Sequence, residues 1–209
     1  MSIIETPNRA IAQGTLVRAI EAPLGRRQMF RAAGVTTLSA AAISILGGCK
    51  SMAASTPTAS ENDVQILNVA LGLEHEAINA YQLGAQSGLL QKPVLDVAVL
   101  FQSQHKEHRD ALIGAIKQMG GTPVAARSMD EYAKELNAGM LKTQADVLML
   151  AARLEKGAAN AYLGVSPSFE SKDLAQISGR LAADEVMHWT VLASALKQSL
   201  PQKALSFGA

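Results

Sequence analysis

The chain has 209 residues, 48% of them hydrophobic and only 4% aromatic, with 19 basic and 18 acidic residues for a net charge of +1. That length holds one domain of ordinary size with extra segments, and the near-zero charge implies no nucleic-acid partner. An apolar fraction carried by Ala, Leu, Val, Ile and Met favours packed helices over sheets, and the single cysteine excludes an intrachain disulfide or a Cys-x-x-Cys metal ribbon.

The charge is unevenly placed. Five Arg against two Glu precede Cys49, a net of +3, whereas the remainder carries 14 basic and 16 acidic residues, a net of −2. Residues 1–48 are accordingly expected to be a leader. Arg26 and Arg27, followed by Met29, Phe30 and Arg31, resemble a twin-arginine export signal. The run from Ala32 to Leu46 is apolar but too short, and too rich in Ala, Thr and Ser, to span a membrane. Leu46-Gly47-Gly48-Cys49 resembles a bacterial lipobox, which implies a lipidated Cys49 as the mature N-terminus and a periplasmic or envelope location. Cleavage after Ser51-Met52-Ala53, giving a soluble secreted protein, is the main alternative; an Ala-rich helix with a chance arginine pair is another. Twin-arginine export carries folded proteins, often with a cofactor already inserted. Residues 49–60, CKSMAASTPTAS, read as a flexible tether.

From Ser60 the pattern turns helical. Ser60 with Asp63 resembles an N-cap pair, and Ile66, Leu67, Ala70, Leu71, Glu74, Ile78 and Tyr81 recur on one face. Gly88 closes this first helix. Pro93 suits the first turn of a second helix, which stops at Gly120-Gly121. The connection 122–142 holds a short helix opened by a Ser128–Glu131 capping box. Thr143 with Asp146 starts a third long helix ending near Gly164, and Ser166-Pro167-Ser168 makes the turn. Ser171 caps a fourth, expected to run to Ser199 before Pro201. Helices of this length, about 30–40 Å at 1.5 Å per residue, with two short turns and one long link, predict an all-α four-helix bundle over residues 61–200 with one crossover. Residues 201–209 are left as a C-terminal tail.

The chain also repeats itself. LEHEAINAY at Leu73–Tyr81 returns as LEKGAANAY at Leu154–Tyr162, and aligning His108 with His188 sets His105 against Glu185. Glu74 precedes His108 by 34 residues and Glu155 precedes His188 by 33. Two similar hairpins therefore each offer a glutamate on the first helix and a polar-x-x-His pair on the second. A separation of seven keeps Glu74 with Tyr81, and Glu155 with Tyr162, on one helix face. A separation of three does the same for His105 with His108 and Glu185 with His188. If the apolar stripes face the core, these groups face it too, and buried carboxylates need partners. Divalent cations fit that need, and carboxylate with imidazole suits Fe, Mn and Zn.

One glutamate on each of two helices with Glu-x-x-His on the others resembles the ferritin-like dimetal-carboxylate pattern, and EHEAINAY is similar to the first helix of bacterioferritins. The resemblance implies Glu74 and Glu155 as terminal ligands, Glu185 as a bridge, and His108 and His188 as one ligand each. Tyr81 and Tyr162 would be inner neighbours hydrogen-bonding a carboxylate of the opposite hairpin. The departure is His105, which stands where a second bridging glutamate is expected and enters as an extra ligand. Glu107, about 100° away around the helix, does not replace it. Two metals, one metal, or a degenerate site of Glu–His and Glu–Tyr hydrogen bonds remain open. His75 and Glu76 fall off the ligand face and are expected at the surface; Trp189 is expected at a helix contact.

The resemblance implies two Fe or Mn ions, with Zn as the substitute and no haem. It also implies a redox protein acting on peroxide or dioxygen, similar to rubrerythrins or manganese catalases, with small oxidants and an external reductant as partners. The alternative is a non-enzymatic metal-binding or structural envelope lipoprotein on a degenerate scaffold. Only eight residues follow Pro201, so a storage cage is not expected, and a homodimer is left open.

Overall fold

The structure, a computed structural model, describes residues 59–208. The leader with Arg26 and Arg27, Cys49, and nearly all of the tether lie outside the described residues. Five α-helices occur in order, with no strand among the described residues: α1 Ala59–Gln86, α2 Lys92–Gln118, α3 Met129–Glu135, α4 Gln144–Val165 and α5 Lys172–Ala195. The four long helices form the expected bundle. Tyr81 meets Phe101 with ring centroids 6.2 Å apart, while Glu74 meets His108, so α1 and α2 are antiparallel. Glu74 takes a hydrogen bond from Tyr162, and Glu155 one from Tyr81, so α4 also runs against α1. The helices thus run up, down, down and up, which obliges the link from α2 to α4 to travel the length of the bundle.

The helix ends are set by local chemistry. In α2 the Gly120 and Gly121 N–H groups bond Lys117 and Ile116 carbonyls, with Gly120 at φ 75°, a left-handed cap that favours glycine. Capping boxes open α3 at Ser128–Glu131 and α4 at Thr143–Asp146, and the Ser171 hydroxyl accepts from Leu174 N–H to open α5. Two ends differ from expectation. Helix α5 stops at Ala195 rather than Ser199, because Lys197 turns left-handed at φ 55° and Lys197 and Gln198 N–H bond the Ser194 and Ala193 carbonyls. At the start of α1 the helix already includes Ser60. The buried Asp63 carboxylate accepts from Glu170 and Ser171 N–H at 3.1 and 3.3 Å, pinning the α4–α5 turn instead of capping its own helix.

The crossover lies along α1. Asn68 holds Thr122 O and Val124 N–H, and Tyr132 of α3 packs with Ala80, Leu136 and Leu150. This covers the face where His75 and Glu76 sit. Both are buried, at 8% exposure each, which corrects the expectation that they are surface residues; His75 Nε2 lies 3.2 Å from Val124 O. Trp189 packs edge-on against Phe207, so the tail returns onto the bundle.

Two apolar clusters fill the interior. One holds Leu67, Leu71, Leu112, Ile116, Leu174 and Leu181; the other, nearer the α1–α2 turn, holds Tyr81, Phe101, Leu148, Trp189 and Leu192. Each fully buried aliphatic side chain contributes about 1.5–3 kcal/mol, and a polar layer separates the two clusters.

Close approach of α1 and α4 gives a paired test within one helix. A Cβ on Gly84 would lie 2.9 Å from Val147 Cγ1, whereas one on Gly72 meets nothing within 4 Å. Gly72→Ala is expected to gain about 0.5–1 kcal/mol of helix propensity. Gly84→Ala is expected to lose about 1–2 kcal/mol net, because stiff, β-branched Val147 must move. Urea midpoints read both; equal stabilisation by the two substitutions would refute the close contact.

Candidate metal centre

The polar layer gathers all six residues singled out in the sequence. Glu74 comes from α1, His105 and His108 from α2, Glu155 from α4, and Glu185 and His188 from α5. Each is 8% exposed or less, and Glu185 and His188 are fully buried. Their ligand atoms form two overlapping sets, Glu74–His105–His108–Glu185 and His105–Glu155–Glu185–His188, each within 4.8 Å. Glu185 and His105 belong to both.

His108 and His188 each turn one ring nitrogen inward. His108 Nδ1 lies 3.2 Å from Glu185 and 3.6 Å from Glu74. His188 Nδ1 lies 3.3 Å from Glu155 and 3.5 Å from Glu185. Their outer nitrogens are held across the α2–α5 contact: His108 Nε2 lies 3.2 Å from Asp184 Oδ2, and His188 Nε2 lies 2.7 Å from Gln104 Oε1. With Nε2–H donated outward, Nδ1 is the nitrogen that faces the interior, and on losing its proton it would offer a lone pair there, the arrangement that orients a metal-binding histidine. Gln104 and Asp184 were not singled out in the sequence. The signal was there: each lies four residues before a histidine, so each shares its face, and the two correspond in the repeat.

Tyr81 and Tyr162 complete the layer by crossing over, Tyr81 to Glu155 and Tyr162 to Glu74. Each terminal carboxylate is therefore fixed from the opposite hairpin, and burial with the facing carboxylates raises both phenol pKa values well above the ordinary range.

His105 breaks the symmetry. Its Nδ1 lies 2.8 Å from Glu74 and its Nε2 3.2 Å from Glu155. Ionised carboxylates only accept, so a ring serving both donates from both nitrogens and is cationic in the metal-free protein. Burial opposes that charge, but the bonds to Glu155 and Glu74 outweigh it and raise the His105 pKa well above 6.5. The same contest lifts His108 to about 10, through Glu185 and Glu74. For the carboxyls, burial alone raises Glu74, yet His105 and His108 pull it down to about 2. Glu155 is likewise held well below its usual range by its hydrogen bonds, against burial. Glu185 goes the other way: burial and the facing Glu155 push it up to about 7.

The residues fit divalent cations. Both Glu185 oxygens and His108 Nδ1 are buried and make no hydrogen bond of good geometry, although His108 Nδ1 and His188 Nδ1 lie 3.2 and 3.5 Å from Glu185. Such atoms are costly unless something binds them, and Glu185 is the one carboxylate common to both ligand sets. Three carboxylates with three imidazoles make a mixed O/N donor set of the kind Fe, Mn and Zn accept.

The ferritin-like domain model matches residues 62–198. Among solved structures, the chain is similar to a conserved hypothetical protein, rv2844, from Mycobacterium tuberculosis. The two share 22% identity at a TM-score of 0.58, over 71% of this chain and 99% of that one; at that identity the likeness concerns the fold. No curated protein matches the chain.

The protonation pattern predicts how the metal-free protein responds to pH. Glu74, at about 2 against 4.5, adds stability that is complete above pH 4.5 and lost as pH falls towards 2. Glu185, at about 7 against 4.5, subtracts stability as pH rises from 4.5 to 7. His108, at about 10 against 6.5, adds stability that is complete below 6.5 and lost by 10. Stability should therefore peak near about pH 5 and decline on the alkaline side by about 1.4 kcal/mol per pH unit for each proton released. Urea titrations of chelator-treated protein from pH 4 to 10 measure this, and stability that rises from pH 7 to 10 is the contrary result.

Proposed function

The chain belongs to the ferritin-like domain family, and from that premise we propose that it is a metal-binding redox protein whose two Fe or Mn ions act on peroxide or dioxygen. The observation that carries this reading is the pair of overlapping ligand sets sharing Glu185, whose two oxygens are buried and make no well-formed hydrogen bond. Glu74 and His108 would hold one ion and Glu155 and His188 the other, with Glu185 between them and His105 as the added imidazole. Ions of this kind supply the electrons that reduce a bound oxidant.

The chain's own groups do the rest. Tyr81 and Tyr162 restrain the terminal carboxylates, Gln104 and Asp184 fix the imidazole planes, and the apolar clusters above and below exclude bulk water, which strengthens every charge interaction in the layer. Cys49 is the only cysteine in the sequence, so no thiolate-bound electron-transfer centre accompanies the cluster, and the reductant is external.

A second reading has one observation behind it. With His105 bonded to both Glu74 and Glu155, two of the three carboxylates are satisfied without metal, as a structural lipoprotein on a degenerate scaffold requires. Metal analysis of protein purified from the cytoplasm, followed by peroxide-consumption assays, separates the two. Two equivalents of Fe or Mn with peroxide or dioxygen turnover are expected; zinc alone, or no metal, favours the scaffold. His105→Glu restores a fourth carboxylate, which neutralises two divalent ions where three leave a net +1, and should tighten the second equivalent. Unchanged stoichiometry and affinity in that variant count against a ligand role for position 105.

The reading extends to location. Arg26-Arg27 and the lipobox-like Leu46–Cys49 support export of the folded protein and anchoring through a lipid on Cys49, with a periplasmic or envelope site of action. Mass spectrometry of the mature protein should find a diacylglycerol-modified Cys49 as its first residue, and Cys49→Ser should move the protein to the soluble fraction. An unmodified N-terminus beyond Ala53 would instead indicate plain secretion.

A further inference from the structure

Above the polar layer, at the end of the bundle that carries the α1–α2 turn, lies a cavity of about 150 Å³ walled by all four long helices. Pro93 and Val191 stand exposed at its rim, while Tyr81, Ala98, Leu148 and Leu192 form its buried floor. Every lining residue is apolar except Tyr81, and the Tyr81 hydroxyl is donated to Glu155. The cavity therefore offers a water no free side-chain hydrogen-bond donor. An ordered water needs two to four polar partners, which these walls do not supply, and enclosed apolar cavities of similar size accept xenon or benzene. The floor is also the wall of the metal centre, since the Tyr81 ring lies 5.4 Å, centroid to centroid, from the His105 ring.

We propose that this cavity is a binding site for a small, uncharged, apolar molecule, held against Tyr81 at the edge of the carboxylate–imidazole layer. The class runs from dioxygen to a compact hydrocarbon the size of benzene. It leaves out hydrogen peroxide, which would lose its hydrogen bonds to water and regain none from these walls. The proposal deepens the proposed function, and rests on it only for the chemistry after binding: of the two oxidants, the cavity serves dioxygen. Occupancy itself depends on shape and apolarity and not on metal.

The test is therefore made on the metal-free full chain. Crystals pressurised with xenon should show anomalous density among Ala98, Leu148 and Leu192. Ala98→Leu and, separately, Ala151→Leu place extra methyl groups in the same space and should abolish that density while leaving the helical circular dichroism intact. Titration with benzene then distinguishes the occupants. A rise in the wild-type melting temperature that both variants lose assigns the larger hydrocarbon, and xenon density without that rise assigns a dioxygen-sized guest. No xenon density in the wild type, or density that persists in both filled variants, overturns the proposal. Metal content, measured separately, decides the proposed function whichever way xenon behaves.

Discussion

Three carboxylates, Glu74, Glu155 and Glu185, sit in the middle of an apolar bundle at no more than 1% exposure, and their charge has to be neutralised there. An unpaired buried ion costs several kcal/mol, a sizeable share of the stability of a domain this size. The structure allows two solutions with the same side chains. Protons can do it: cationic His105 lies between Glu74 and Glu155, while Glu185, raised to about 7, keeps its own proton in mildly acidic conditions. Divalent cations can do it by displacing those protons, because a ligand must be deprotonated to bind. Metal uptake and proton release are thus one equilibrium, and rising pH weakens the proton solution as it favours the metal one.

The internal repeat explains how one chain achieves this with few residue types. Each hairpin restrains the other: Tyr81 holds Glu155 and Tyr162 holds Glu74, Gln104 faces His188 and Asp184 faces His108. These four contacts cross from one hairpin to the other, and they add to the contacts within each hairpin, His105 to Glu74 and His188 to Glu155. Neither hairpin is complete alone, so the layer forms only when both dock. Position 105 is where the repeat fails. Its counterpart Glu185 is a carboxylate that can bridge two ions, whereas an imidazole at 105 brings two nitrogens on opposite edges, one towards each ligand set.

The sequence carried the helices and most of the layer because both obey short-range rules. Spacings of three, four and seven report a helix face, and Ser128, Thr143, Ser171 and Gly120 act on residues within one turn. What it did not carry depends on neighbours distant in sequence. His75 and Glu76 read as surface because nothing local says that the crossover, through Val124 and Tyr132, will cover α1. Asp63 read as a cap because its bond to residues 170 and 171 spans more than a hundred positions. Gln104 and Asp184 were within reach, since both respect helix spacing, but polar residues at that spacing are common on solvated faces. Only the α2–α5 contact tells these two apart.

Tyr81 joins the two unusual features of the bundle. On one side its hydroxyl fixes a ligand carboxylate; on the other its ring closes an unfilled apolar space. Natural cores are packed close to crystal density, and an apolar space of about 150 Å³ between the helix ends leaves its lining side chains without packing partners on that side. A bundle that already buries three carboxylates gains nothing in stability from leaving that space open, and small changes such as alanine to leucine at positions 98 or 151 would close it. The well-packed cluster at the opposite end, with Leu71 and Ile116 fully buried, shows that this helix arrangement can be filled. The apolar space and the carboxylate–imidazole layer meet at a single aromatic ring, Tyr81.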